Sequence, residues 1–430
     1  MIREARLQAR FPFLAESTIR KAQQRRAQAT VAYAYAHVPY YRETMRRLIL
    51  TPQDFRSAGD LARLPLIERE QLQRDPEYFR SEQWPAAACI LLQSGGTTGA
   101  PMTVFRDPPS LLLESAQRER LRSLVAQLAG RHVRYREAAI KPHNSSVSTA
   151  INAVGRASLV PPSMRVQRRD FSMLRPPAEL IPELGQYRAE VITSYGSYLE
   201  ALFSHAREHG ERLRPTRVAV YGADSLSATT RDWARAELGI EVLSSYNAVE
   251  TPQIGFDCEH HRGHHLNVDL CPIRLIGADG REASDGEPGE VVVSNLVNRG
   301  TVLLNYRLGD VVARTSERCA CGRTLPLSSY PERSGARWLD LGDGITIHAQ
   351  ALQLILRTEM GISRYQIVQE APRRFLLRLV PAPRCDHESM RSRILDQFGN
   401  RLGVGVAVRV EFVSDLPTAP GGKIQAVVCL

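Results

Sequence analysis

Between residues 138 and 245, short apolar or β-branched runs alternate with stretches whose apolar residues recur every three or four positions. The runs are 138–141, 190–193, 217–221 and 241–245, each short enough for a buried strand. Segments 197–209 and 226–238 have helical spacing and close on Gly210 and Gly239, residues suited to a helix C-cap. Strands that alternate with helices predict a parallel sheet with helices on its faces. Upstream, 14–48 is helical in pattern, and 108–130 reads as one amphipathic helix from Pro108-Pro109-Ser110 to Gly130. Pro52, Pro65, Pro76 and Pro85 punctuate the stretch between them.

After residue 253 the rhythm changes. Short strand patterns at 271–276, 289–295, 301–306 and 310–314, separated by turn residues, predict a β-rich subdomain. The last part reads separately: strands at 365–370 and 375–381, a helix at 387–402 and a strand at 406–413. Residues 332–337, polar and preceded by Pro331, predict a linker. The fold class expected is therefore α/β. A large N-terminal domain (1–334) would combine a parallel α/β sheet with a β-rich subdomain, and a small mobile α+β domain (335–430) would follow.

Bulk properties narrow the picture. A chain of 430 residues buries a large core and exceeds the usual size of one domain. No apolar stretch approaches the roughly 20 residues of a membrane helix, and no signal segment follows the charged start Met1-Ile2-Arg3-Glu4, so a cytoplasmic protein is expected. Seven cysteines in this length do not form a disulfide framework. The net charge of +10 comes mostly from arginine and suits a phosphorylated cosubstrate or an acidic carrier protein. No basic run interleaved with aromatics is present, which argues against nucleic acid as a partner.

The candidate chemistry starts at Gln93-Ser94-Gly95-Gly96-Thr97-Thr98-Gly99-Ala100-Pro101, directly after the apolar run 89–92. Three glycines let backbone N–H groups face an anion, and Ser94, Thr97 and Thr98 add hydroxyl donors. No Lys-Ser or Lys-Thr follows Gly99, so this is not a P-loop. Near the other end, Pro420-Gly421-Gly422-Lys423 places one lysine on a flexible loop.

These two segments resemble the adenylate-forming (acyl-CoA synthetase) superfamily, through a Ser-Gly-Gly-Thr-Thr-Gly-x-Pro phosphate loop and a C-terminal Gly-Lys. The detailed resemblance is to the phenylacetate–CoA ligase branch. His37-Val38-Pro39-Tyr40-Tyr41-Arg42, Gly286-Glu287-Pro288-Gly289-Glu290 and Tyr306-Arg307-Leu308-Gly309-Asp310 stand in the family's order.

The resemblance implies roles residue by residue. Ser94 to Gly99 would cradle ATP phosphates, and Gly222, Ala223 and Asp224 would border the adenine. Tyr246 would stack on the base beside Asn247, Asp310 would bond the ribose, and Glu250 would hold Mg²⁺. Lys423 would neutralise charge as a carboxylate attacks the α-phosphate. The chain departs from the family pattern at Asn247 and Val249 in the Tyr-Gly-x-Thr-Glu segment, at Asp224-Ser225, and at Gly335-Ala336-Arg337, where the hinge arginine Arg337 is displaced by one.

Cys258, Cys319 and Cys321 with one imidazole would complete a tetrahedral structural zinc shell. On the branch's Gly-x-His pattern, Gly263-His264-His265 nominates His265, with His264, His260 and His261 as further candidates. The expected activity is ATP-dependent conversion of an aromatic or aryl-acetic acid to acyl-AMP and pyrophosphate, then transfer to CoA. Transfer to an amine or a carrier-protein phosphopantetheine, and a non-catalytic nucleotide-binding homologue, stand as alternatives. The sequence leaves oligomeric state, a homodimer included, open.

Overall fold

The computed structural model describes residues 2–94, 102–131, 134–141, 165–223, 226–277, 280–331, 338–342, 345–348, 352, 353, 355, 356, 359, 361–381, 385–403, 405–416 and 427–429. They divide into two compact units. One comprises Met1–Gln93, Thr103–Phe171 and Pro177–Ser334; the other is built chiefly of Gly335–Leu430.

The larger unit opens with helices α1 (Ile2–Arg10), α2 (Glu16–His37) and α3 (Pro39–Arg47). The helical stretch expected over 14–48 is split at Val38, which is extended (φ −120°, ψ 118°) because the following proline disfavours helical backbone there. Pro39 then occupies the first turn of α3, where its missing N–H is harmless. A short α4 (Arg69–Arg74) carries a capping box between Glu68 and Gln71. Strands β1 (Ile90–Ser94) and β2 (Met102–Arg106) pair in a two-stranded sheet.

The single helix expected over 108–130 is two, α5 (Pro108–Gln117) and α6 (Glu119–Leu128). They serve different cores. Leu111 of α5 packs with Leu92, whereas Leu121, Leu124 and Val125 of α6 pack on the sheet residues Val191, Val218 and Leu243. No glycine or proline marks the break at Arg118.

Among the described residues the main sheet has eleven strands. Strands β3 (Arg136–Lys141), β4 (Gln167–Ser172), β5 (Val191–Tyr195), β6 (Val218–Gly222) and β7 (Glu241–Tyr246) come first in the chain. Between them lie α7 (Pro177–Tyr187), α8 (Gly196–His209) and α9 (Ala228–Trp233), the last extended by a π turn over 234–238. The sheet continues through β8 (Gly255–Phe256), β9 (His264–Leu266), β10 (Ile273–Ile276), β11 (Pro288–Val293), β12 (Tyr306–Thr315) and β13 (Leu327–Ser328). The strand order is β10-β11-β12-β13-β9-β8-β7-β6-β5-β3-β4. The steps β3–β5–β6–β7 are parallel, and those from β7 through to β10 are antiparallel.

One expectation changes. The β-rich part after 253 is present, and the two- and three-residue strands β8, β9 and β13 splice it onto the parallel sheet. Residues 301–305 are not a strand: their amides bond elsewhere, Thr301 to Phe105 O, Val302 to Phe79 O and Leu304 to the Tyr41 hydroxyl.

In the smaller unit, β14 (Trp338–Asp340) pairs with β15 (Thr346–His348). Strands β16 (Ile362–Ala371), β17 (Arg374–Pro381), β18 (Ala407–Phe412) and β19 (Val427–Cys429) form a sheet in the order β18-β17-β16-β19. Helix α10 (His387–Leu402), capped by Asp386, lays Met390, Ile394 and Phe398 on it. Their i, i+4, i+8 spacing forms one helix face.

Candidate functional site

Ligands of open α/β sheets bind at the carboxyl ends of parallel strands. Here the ends of β6 and β7 lie side by side, Gly222 opposite Ser245. A Cβ on Gly222 would stand 2.9 Å from Ser245 O, so only glycine allows this approach. Ala223 follows with a left-handed φ of 70°, which turns the chain away from the strand. Tyr246 is buried, and its hydroxyl donates to Asp310 Oδ2 at 2.8 Å. His264 stacks against the Tyr246 ring (centroids 5.6 Å apart, 26° between planes) and bonds Ser244 Oγ at 2.9 Å. Asn247 turns its amide back onto Ser245 O and Oγ, at 3.0 and 2.8 Å. A cleft bounded by Tyr221, Tyr246, His264, Tyr330 and Arg231 opens at this point. Burial, with Asp257 nearby, pushes the Tyr330 phenol upward, so it remains a neutral wall.

Glu250 lies on the loop after β7, with its side chain 6% exposed. The loop is held by its carbonyls: buried Arg106 donates to Val249 O and Thr251 O at 2.8 and 2.9 Å, and Asn295 donates to Glu250 O at 3.0 Å. Arg69 of α4 stands 3.6 Å from the Glu250 carboxylate, and the Tyr306 hydroxyl donates to it at 3.4 Å. Burial and the neighbouring Glu250 both raise the Tyr306 phenol, which keeps it a donor. Mg²⁺ takes one or two carboxylates and completes its shell with water and substrate phosphates. A buried carboxylate fits that use, with Arg69 balancing its charge. Arg69, Arg106 and Tyr306 were not nominated for these roles by the sequence. They come from α4, β2 and β12, and no spacing in the chain connects them to Glu250.

A second constellation sits where β9 meets the turn before β13. Among the described residues, the ligand atoms of Cys258, His265, Cys319 and Cys321 all lie within 4.8 Å of one another. Cys258 Sγ and Cys319 Sγ are 3.6 Å apart, and Cys321 Sγ and His265 Nε2 are 3.3 Å apart. Zinc with Zn–S near 2.3 Å and Zn–N near 2.0–2.1 Å makes tetrahedral edges of about 3.8 and 3.6 Å. The donor set and its edges fit that ion. The other ring nitrogen of His265 faces Leu325 O at 3.4 Å, an outer contact that would orient a ligating imidazole. The hydrogen bond with Cys258 holds the Cys321 thiol well below its ordinary range, with His265 and Arg323 adding to the effect. The same pairing, with burial, pushes Cys258 upward.

Alternation along β9 separates the two candidate histidines. His265 joins the thiols, whereas His264 faces Tyr246 and Ser244. His261 is held elsewhere, between Asp257 at 2.8 Å and Glu241 at 2.5 Å. Burial opposes its charge, but the two carboxylates outweigh that and raise it to about 9.

Ser94 is the last residue of β1. Gly95, Gly96, Thr97, Thr98, Gly99, Asp224, Arg337 and Lys423 lie outside the described residues, as does the linker 332–337. Lys141, at the end of β3, is paired with Asp170 at 2.7 Å.

With this geometry in view, comparison with known proteins is direct. Residues 342–429 match the CapK C-terminal domain family. The chain is 24% identical to the phenylacetate-coenzyme A ligase of Thermus thermophilus, over 97% of this chain and 98% of that one. It is 25% identical to the phenylacetate-coenzyme A ligase of Escherichia coli, over 69% and 68% of the two chains. Among solved structures, 2-hydroxyisobutyryl-CoA ligase in complex with 2-HIB-AMP and CoA superposes with a TM-score of 0.66 at 19% identity, covering 98% of this chain and 91% of that one. The fold is that of the adenylate-forming enzymes. In sequence the chain is similar to the phenylacetate–CoA ligases along nearly its whole length.

Proposed function

We propose that the protein is an ATP-dependent, AMP-forming carboxylate ligase that makes acyl-AMP and pyrophosphate and then passes the acyl group to the thiol of CoA. The observation that carries the reading is that Tyr246 and the close-packed Gly222-Ala223 end of β6 line one cleft, and that the Tyr246 hydroxyl is bonded to Asp310, 64 residues further along the chain. An aromatic face, a carboxylate and exposed backbone are what an adenine nucleoside needs. The names of the sequence relatives support CoA as the acceptor and an aryl-acetic or aromatic acid as the substrate class.

In this reading the Tyr246 face carries the base and Asp310 accepts from the ribose. Glu250 would hold Mg²⁺, which supplies charge neutralisation for the leaving pyrophosphate. Lys423 would provide the point cation for the α-phosphate as the acid attacks it. Holding acid and phosphate together lowers the entropic barrier of the in-line displacement. Cys258, His265, Cys319 and Cys321 would hold a structural zinc, since four protein ligands leave no position for a catalytic water.

ATP–pyrophosphate exchange over a panel of aromatic, aryl-acetic and aliphatic acids tests the first step. Exchange with one acid class, followed by thioester formation on adding CoA, is the expected result. Folded protein that binds ATP but exchanges with none of the acids would overturn the proposal. Amide formation in place of thioester would replace its second half.

A further inference from the structure

We propose that Tyr246 is a positioning residue, whose hydroxyl aims the Asp310 carboxylate at the nucleotide sugar. The inference rests on the nucleotide-site reading above and adds a role that an aromatic face alone would not have. A phenylalanine would offer the same face; this buried tyrosine spends its hydroxyl on Asp310 at 2.8 Å.

The need for such a contact follows from how Asp310 is placed. Strand β12 pairs with β11 through Glu290↔Val311 and Val292↔Arg307, so Leu308, Gly309 and Asp310 bulge opposite Val291 alone. Gly309 has φ 82°, the left-handed conformation that glycine adopts readily. Bulges of this kind re-aim a side chain away from the regular pleat. The Asp310 carboxylate is 8% exposed as a residue and points across β12 to the end of β7.

Tyr246 is suited to act as the fixed partner. Its backbone pairs with Gly255, and its carbonyl accepts from Ile254 N at 2.9 Å. Its ring is backed by His264, which is itself fixed by Ser244 Oγ and by the edge of Tyr330 at 5.0 Å. A donor held at ring and backbone defines the rotation of the carboxylate it touches. A carboxylate offers about four lone-pair positions on two oxygens. The phenol takes one on Oδ2, and a sugar hydroxyl would take another.

The test is Tyr246→Phe in the full chain, read as dissociation constants for ATP, 2′-deoxy-ATP and 3′-deoxy-ATP with Mg²⁺ by calorimetry. The wild-type protein should prefer ATP over the analogue that lacks the hydroxyl bonded to Asp310. The variant should lose about three- to tenfold in ATP affinity. It should lose much less toward that analogue, so that the hydroxyl of the protein and the hydroxyl of the sugar are coupled in the cycle. Asp310→Asn should bring the same narrowing of preference. Equal losses for all three nucleotides would mean that the tyrosine only supports the fold, and would overturn the inference while leaving the nucleotide site standing. Wild-type protein that binds none of the three would overturn both.

Discussion

Asp269→Asn isolates one buried charge without changing the shape of the side chain. Asp269 and Arg120 are both fully buried, and they meet through two bonds, Nη1 to Oδ1 at 2.7 Å and Nη2 to Oδ2 at 3.0 Å. Arg26 of α2 adds a third donor to Oδ2 at 2.9 Å. The Arg120 guanidinium also reaches Asn267 Oδ1 and Gln8 Oε1, and it lies 4.3 Å over the Phe11 ring. The pair therefore ties α1, α2 and α6 to the segment that leaves β9. In the asparagine variant an NH₂ group faces guanidinium donors, and a buried positive charge loses its counter-charge. Breaking one partner of such a pair costs about 3–5 kcal/mol. That is a large share of the 5–15 kcal/mol typical of a folded domain. Urea unfolding followed by hydrogen exchange in α1, α2 and α6 measures the loss in the large unit alone. The double variant Arg120→Met with Asp269→Leu removes both charges and should recover most of it. A loss below about 1 kcal/mol in the single variant, or a double variant as unstable as the single one, would refute the reasoning.

Three further outcomes are expected. Gly263→Ala should destabilise the protein by about 3 kcal/mol or more, because φ is 119° and the added Cβ would stand 2.0 Å from Ser328 O; the melting temperature reports it. Cys319→Ser should abolish stoichiometric zinc in protein purified without chelator and lower the melting temperature, as measured by metal analysis and calorimetry on one sample. Lys423→Ala should reduce ATP–pyrophosphate exchange by about a hundredfold or more while ATP affinity changes little, and unchanged exchange would remove the lysine from the proposed mechanism.

Where the fold is made of local pattern, it is legible in the sequence. The runs at 190–193, 217–221 and 241–245 are strands β5, β6 and β7, and Gly210 and Gly239 end their helices with φ of 65° and 66°. Pattern fails where burial is achieved without a ladder. Val302, Leu303 and Leu304 read as a strand because they are apolar, yet their backbone partners are Phe79, Asn295 and Tyr41. Pairing partners fail for the same reason: β8, β9 and β13 are two or three residues long, too short to leave a periodicity, and they decide that the later strands join the parallel sheet. At the site, residue types announce themselves and neighbours do not. A Tyr-x-x-x-Glu segment and a Cys-x-Cys turn are visible in one dimension. Arg69 beside Glu250, and Tyr246 bonded to Asp310, exist only once α4 and β12 have packed against the loop after β7.

Strand β9 links the two constellations. It has three residues, His264 to Leu266, and is held between β8 and β13 by a few ladder bonds. Its pleat sends His265 among the thiols and His264 behind the Tyr246 ring. A strand this short has little stability of its own, so what fixes His265 also fixes the backing of the proposed base platform. Gly255 makes the coupling tight: a Cβ there would already press the His264 side chain at 3.1 Å and His265 O at 3.1 Å, so β8 and β9 have no slack to absorb a shift. A metal held by Cys258, His265, Cys319 and Cys321 would therefore do more than brace a loop. It would set the position of Tyr246 through His264, and through Tyr246 the aim of Asp310. The Cys319→Ser protein should accordingly lose ATP affinity together with its metal. Wild-type ATP affinity in a folded, zinc-free variant would break the connection between the two sites.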